Sequence, residues 1–407
     1  MKIALVCNKY VLDEKNPWLT NDLAKAYIDL GHEVTVYCLD WSELEQGYQM
    51  TDSNGIVIYY LQHPIFFKEG SKKINLLFKW TLNSWFSAKK IIHPEKHFDL
   101  LVYFSPAVTT IGIVHHLKKY TKKIVMILWD FFPKYHQELQ LLPNLAIISK
   151  FAKVYEQRAV NYADLVGLMS PANVTFINNY FINTSQQKRM VVPLWGPSPL
   201  ALITRVEKHK LKANWQNLPS TKVWAVMGGQ MIPGRGLELL LNVASELRHN
   251  SELIFVVAGD GIRKDWFLNQ VKERGLTNIL YIGSLKRDAY LGILQAADIG
   301  LVFNSGHVSV PTFPSKSVDY LRTALPMIVA IEKASDAGLI IEHEMQAGFN
   351  VDISSIGLIA EKINILVQNE KLRESLGQNG YQYFIKNMTA KSVAKQILRN
   401  VELGSDT

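Results

Sequence analysis

The 407-residue chain has only two cysteines, Cys7 and Cys38. Both sit in apolar, strand-like runs, which excludes a cysteine-based zinc site and fits a reducing compartment. No run of about 18 apolar residues is present, the length that a helix needs to cross a bilayer. The start, Met1-Lys2-Ile3-Ala4-Leu5-Val6, lacks the longer apolar core and small-residue cleavage site of a secretory signal. A cytoplasmic protein is the expectation. Three motifs are missing as well. The first turn, Cys7-Asn8-Lys9-Tyr10-Val11, has no Gly-x-Gly-x-x-Gly, which argues against a nicotinamide dehydrogenase. There is no P-loop, and no Gly-x-Ser-x-Gly elbow of an α/β-hydrolase. What remains is an average globular composition, 48% hydrophobic and 20% charged, long enough for two domains.

Net charge is +8, and its placement is uneven. Between Lys68 and Lys123 stand eleven lysines, no arginine and three acids (Glu69, Glu95, Asp99), so this segment carries the whole excess. Nucleic acid and an anionic lipid surface are the two partners such a patch suggests. The lack of arginine and of any nucleic-acid module argues against the first.

Along the chain, strands alternate with helices. Strands are expected at Ile3–Cys7, Glu33–Cys38, Gly55–Leu61, Asp99–Phe104, Lys123–Trp129 and Asp164–Met169, with a helix over Leu19–Leu30 ended by Gly31. The continuous apolar runs suit a buried parallel sheet. A cluster of Pro193, Gly196, Pro197 and Pro199, followed by a polar stretch to Ser220, reads as an interdomain linker. Beyond it the pattern repeats, with strands at Val223–Met227, Leu253–Val257, Asn278–Ile282, Ile299–Phe303 and Met327–Ile331, then helices over Ile356–Val367 and Glu370–Ile385. Two doubly wound α/β domains follow, 1–195 and 196–385, with the tail 386–407 expected to return to the first. In tandem they are expected to bind a ligand in the cleft between them, beyond the carboxyl ends of the strands.

Candidate chemistry falls at strand ends. Gly228-Gly229-Gln230-Met231-Ile232-Pro233-Gly234-Arg235-Gly236 follows one strand and opens a helix. Its glycines admit a close ligand, and the helix start with Arg235 suits a phosphate. The alternative is a plain turn with a solvated arginine. Phe313-Pro314-Ser315-Lys316-Ser317-Val318-Asp319 enters another helix. Ser315 and Lys316 are placed to hold a phosphate, and Asp319, one turn on, to accept from a ribose diol. The alternative is an ordinary capped helix, although a lysine at its N-terminus opposes the dipole and so needs another reason to be there. Gly259-Asp260-Gly261 and Gly283-Ser284-Leu285 are weaker signals, common to turns.

Taken in order, these segments resemble the donor domain of family 4 glycosyltransferases, which adopt the GT-B fold of two Rossmann-like domains facing across a cleft. The ordered set runs through Arg235-Gly236, Val256-Val257-Ala258-Gly259-Asp260-Gly261, Gly283-Ser284-Leu285, Ala297-Asp298, Pro314-Ser315-Lys316 with Asp319-Tyr320, and Ala324-Leu325-Pro326. The first half, through Phe104-Ser105-Pro106, Leu128-Trp129-Asp130-Phe131-Phe132-Pro133 and Leu168-Met169-Ser170-Pro171, is similar to bacterial polysaccharide members such as N-acetylaminosugar transferases. Asp130 takes the place of that subgroup's aspartate. Several family positions differ: the first acid of Glu-x7-Glu falls on Pro311 and the second on Asp319, Gly229 replaces an arginine, Arg235 a lysine, and Trp129 a histidine.

The resemblance implies retaining transfer from a nucleotide sugar, UDP-linked by analogy, with no metal and no other cofactor. Arg235, Lys316 and nearby amides are then expected to neutralise the leaving diphosphate. Gly228, Gly229, Gly259, Asp260, Gly261, Ser284, Leu285, Pro314, Ser315 and Asp319 are expected to line the donor site. Asp130 either orients a sugar or caps the following turn. The lysine-rich segment holds Ile74, Leu77, Phe78, Thr81 and Trp85 on one helical face between Lys72-Lys73 and Lys89-Lys90. It is read either as a membrane-surface helix or as a core-packing one. The first reading makes the protein peripheral on the inner face of the cell membrane, acting on a lipid-linked or saccharide acceptor in surface polysaccharide assembly. A non-hydrolysing nucleotide-sugar epimerase and a non-catalytic sugar-nucleotide sensor are the rivals.

Overall fold

The computed structural model describes residues 1–13, 18–40, 46–62, 73–91, 97–140, 145–181 and 188–402, with only the backbone given for 73–80 and 148. The chain divides into two units, Met1–Pro197 with Ala390–Thr407, and Ser198–Thr389.

The first unit is built on eight strands: β1 (Lys2–Cys7), β2 (Glu33–Cys38), β3 (Tyr48–Thr51), β4 (Val57–Tyr60), β5 (Phe98–Phe104), β6 (Thr121–Leu128), β7 (Leu165–Leu168) and β8 (Lys188–Val191). Their spatial order is β3-β4-β2-β1-β5-β6-β7-β8, parallel except for β3 against β4. Ile3 to Val6 and Leu100 to Tyr103 are wholly buried, as central strands covered on both faces must be. The helix Leu19–Asp29 ends where Gly31 takes φ 84°. On it packs the C-terminal helix Ala390–Glu402, through Val393, Ala394, Ile397 and Val401 in the same core.

The second unit holds six parallel strands: β9 (Val223–Gly228), β10 (Leu253–Ala258), β11 (Ile279–Tyr281), β12 (Ile299–Phe303), β13 (Met327–Ala330) and β14 (Gly348–Asn350). Their order is β11-β10-β9-β12-β13-β14. The helix Leu237–Glu246 buries Leu237, Leu240, Leu241 and Ala244 on this sheet.

Two expectations need correction. The polar stretch taken as linker contains a helix, Arg205–Ala213, started by a capping box between Thr204 and Glu207. Polarity misled because Lys212, though charged, is buried with its ammonium 2.5 Å from Asp298. The helix Lys73–Ala88 forms, but its expected membrane face does not stay free. Thr81 is buried, as are Ser84 and Ser87, and Trp85 is half-buried 5.0 Å from the His115 ring. This side lies against the helix Ile111–Leu117, where Gly112 donates its N–H to Ser84 Oγ at 3.1 Å. Ile74, Leu77 and Phe78 lie outside the described side chains. Leu82, Phe86, Lys89 and Lys90 are the exposed ones.

Candidate functional site: two strand-order reversals

In an open parallel sheet, a crevice opens where the strand order reverses, beyond the carboxyl ends. In the second unit that point lies between β9 and β12. The glycine-rich loop leaves β9 there. Gly236 takes φ 71°, and a Cβ on it would stand 2.5 Å from the Phe303 backbone, so only glycine lets the loop close on β12. Backbone bonds tie the neighbouring loops together. Gly229 N–H donates to Ala258 O (3.0 Å), Met231 N–H to Asp260 O (2.8 Å), Gly259 N–H to Gly283 O (2.9 Å) and Ser305 N–H to Gly234 O (3.0 Å). Gly228 is buried beneath Tyr290, whereas Gly229 is exposed.

This frame brings Arg235 and Lys316 together. Lys316 begins the helix Lys316–Arg322, after Pro314 and the exposed Ser315. Burial, and next the Arg235 guanidinium, push its ammonium down to about 7. Among the described residues neither cation is paired with a carboxylate. Two cations side by side repel each other, and an arriving anion relieves both the repulsion and the desolvation.

Asp319 is engaged otherwise. Arg287 grips its carboxylate with both terminal nitrogens, at 2.6 and 2.5 Å, and Arg322 adds a third bond at 3.1 Å. Any ribose bond to Asp319 must be made by a carboxylate already held in place. Ser284 is exposed and Leu285 half-buried on the loop that precedes Arg287. Asp260 is exposed and spent on its own turn, accepting from Gly261 N–H at 2.9 Å and facing Lys264 at 3.3 Å. Both contacts hold its carboxyl below the usual range, the backbone bond first.

Sequence reasoning overlooked Arg287, and also Glu332. Beside Pro311, where the resemblance places an acid, Thr312 donates its hydroxyl to Glu332, which also receives Asn304 Nδ2 at 2.8 Å. Glu332 is 1% exposed, and Ser335 Oγ donates to Thr312 O at 2.5 Å. The overlooked signal was an acid directly after the apolar run Met327–Ile331.

In the first unit the order reverses between β1 and β5. Asn8 follows β1, and Ser105 to Thr109 follow β5. Thr109 Oγ1 donates to Asn8 Oδ1 at 2.8 Å. Ser105 Oγ accepts the backbone N–H of Trp129 (2.8 Å) and of Asp130 (3.1 Å). The Trp129 ring stacks on Phe104 at 4.8 Å, and its indole N–H is buried with no partner among the described residues. Behind the loop, Glu156 accepts Val108 N–H at 2.9 Å. Asp130 thus stands at this reversal, in a different unit from Arg235 and Lys316.

Comparison with known proteins agrees with this architecture. Residues 210–383 match the family model of glycosyl transferases group 1. WcaI of Escherichia coli K12, named for colanic acid biosynthesis, is 26% identical over 184 residues, 43% of this chain and 44% of that protein. The O-antigen chain mannosyltransferase C of Escherichia coli is 23% identical over 263 residues, 63% of this chain and 64% of that one. The chain therefore spans about half to two thirds of the length of these relatives. Among solved structures, sucrose-phosphate synthase of Thermosynechococcus elongatus superposes with a TM-score of 0.72 at 14% identity, over 100% of both chains. Anabaena HepE in complex with UDP gives 0.70 at 14% identity, over 99% of this chain and 100% of that one. The match to the glycosyl transferases group 1 model thus covers residues 210–383, and the likeness to solved structures gives the chain the GT-B fold.

Proposed function

We propose that the protein is a retaining glycosyltransferase that moves a sugar from a nucleotide sugar, preferentially a UDP-sugar, to a lipid-linked or saccharide acceptor in surface polysaccharide assembly. One observation carries the reading: the Arg235–Lys316 pair, two cations without a carboxylate at the reversal point of the second sheet. A nucleoside diphosphate develops negative charge as it leaves, and fixed donors in a partly dry site stabilise that charge at no cost in reorganisation. Lys316 regains its full charge when the diphosphate binds beside it. The departing phosphate then takes the acceptor's proton, so no protein nucleophile is required. The names of WcaI and of the O-antigen mannosyltransferase support polysaccharide assembly. The complex of HepE with UDP supports the choice of base.

The acceptor belongs to the first unit, at Asn8, Ser105, Thr109 and Asp130. Contact with an anionic membrane surface, as a peripheral protein, rests on the exposed Leu82, Phe86, Lys89 and Lys90 together with Lys118, Lys119, Lys122 and Lys123. Each basic residue near such a surface adds about 1 kcal/mol.

Isothermal titration with UDP and GDP, followed by a panel of UDP- and GDP-sugars with a polyprenyl-pyrophosphate-linked acceptor, tests the proposal. The expected result is tighter UDP binding, lost in Arg235→Ala and Lys316→Ala, and a product whose anomeric configuration by NMR matches the donor. Release of a free epimer, or binding without turnover, would sink it.

A further inference from the structure

One buried acid remains unexplained by this account. Glu156 lies on the helix Ala146–Val160 and is 1% exposed. Among the described residues no lysine, arginine or histidine is paired with it. Its contacts are with backbone. It accepts the N–H of Val108, in the short turn Ala107–Thr109 that follows β5. That turn carries Thr109, bonded to Asn8, and adjoins Ser105, bonded to the amides of Trp129 and Asp130. One side chain therefore fixes a loop that touches the ends of β1, β5 and β6 at once. The Asp130 carboxylate is close enough to interact with it.

We propose that Glu156 is a positioning residue: an uncharged carboxyl that locks the Ser105–Thr109 loop from behind and leaves the negative charge of the pair to Asp130, which receives a hydroxyl of the acceptor. The role of Asp130 rests on the function proposed above, whereas the state and contacts of Glu156 do not. A buried carboxylate with no cation is costly, and the chain avoids that cost by keeping the proton. Burial first, opposed by the two backbone bonds and reinforced by Asp130, pushes Glu156 up to about 8. The titratable groups facing it are Asp130 after β6, Tyr103 on β5 and Tyr180 on the helix Pro171–Tyr180. Burial, above all, raises both phenols well above the ordinary tyrosine range, so they stay neutral throughout the window of interest.

Two measurements test this. The first needs no substrate: thermal melting of the full chain from pH 5 to 9, for the native protein, Glu156→Gln and Asp130→Asn. Between the ordinary value of 4.5 and about 8, the native state holds a proton that the unfolded chain has released. Native stability must then fall as pH rises through this window, by linkage. Glu156→Gln lacks that slope, so its melting temperature gains on the native protein up to about pH 8 and then runs parallel. Asp130→Asn removes the neighbouring charge and moves the levelling point to lower pH. Curves for native protein and Glu156→Gln that run parallel from pH 5 to 9 would overturn the proposal.

The second measurement is turnover, with UDP-sugar and polyprenyl-pyrophosphate-linked acceptor as probes. Glu156→Ala is expected to lose about tenfold or more in kcat while still binding UDP, with Glu156→Gln recovering most of the loss, on the scale of misplaced catalytic geometry. Equal turnover in Glu156→Ala and Glu156→Gln would overturn the positioning role. Native turnover in Asp130→Asn would instead refute the acceptor role of Asp130, with the melting curves still deciding the state of Glu156.

Discussion

At the reversal between β9 and β12 the chain places glycines and two unpaired cations. At the reversal between β1 and β5 it places hydroxyls, amides and a carboxyl pair. Both points are strand-order reversals in a largely parallel sheet, but the chemistry written into the loops differs. Glycines let backbone approach a ligand closely and suit a bulky anion. Side-chain hydroxyls already bonded to an amide oxygen and to backbone N–H groups suit a hydroxyl-rich partner, because each polar group offers a fixed direction. On the proposed function, the second sheet takes the anionic diphosphate and the first takes the hydroxyl-bearing sugar of the acceptor.

The comparison breaks most sharply at its cations. Arg235→Ala and Lys316→Ala are each expected to cost roughly 10²–10³ in kcat, by the scale of lost charge-stabilising donors. Thr109→Val, at the other reversal, is expected to leave the UDP dissociation constant unchanged in titration. A loss of UDP affinity in Thr109→Val would mean that the division is wrong.

A second contrast lies inside the second unit. Lys212 is buried with a carboxylate, Asp298, whereas Lys316 has only another cation beside it. Lys212→Met leaves Asp298 with Lys208 alone, and is expected to lower stability by about 3 kcal/mol in urea denaturation, the scale of a broken buried pair. Lys316→Met removes a charge that nothing balances, and is expected to match or exceed native stability. Destabilisation in both would show that Lys316 is structural.

Arg287→Met, which leaves the Asp319 carboxylate held by Arg322 alone, should raise the KM for the nucleotide sugar about tenfold with kcat little changed, as loss of uniform binding does. A fall in kcat alone would place Asp319 in the chemistry instead. The smallest effect is a proton. Lys316 is depressed to about 7, so the unliganded native state releases a proton that the unfolded chain keeps until near 10.5. Free-protein stability therefore gains with pH between these values, and UDP binding reverses the depression. Titration at pH 8 in buffers of different ionisation enthalpy should show uptake of a fraction of one proton per UDP, absent in Lys316→Ala.

Much of the fold was legible because central parallel strands are continuous apolar runs. Ile3–Cys7, Leu253–Val257 and Ile299–Phe303 stood out for that reason. Tyr48–Thr51, Lys188–Val191 and Gly348–Asn350 did not, since short edge strands carry mixed or exposed residues and no period to read. The meeting of Arg235 and Lys316 in the candidate site was legible because loop chemistry is local. Glycine next to arginine at a helix start is a signal that suits an anion and is contained within a few residues of sequence.

Partnership across the chain was not legible. Arg287 and Asp319 are 32 residues apart, Glu156 and Val108 are 48 apart, and nothing in either neighbourhood names the other. The same limit left the facing of the helix Lys73–Ala88 open. Its residues pointed equally to a membrane and to a core, and only the packed helix Ile111–Leu117 decided which face stayed exposed. By itself the sequence determined the alternation of strand and helix, because side-chain periodicity is a property of a short stretch of chain. The tertiary structure alone decided which acids meet a cation, which are buried without one and which cations meet no acid, because a charge is fixed by what surrounds it in space.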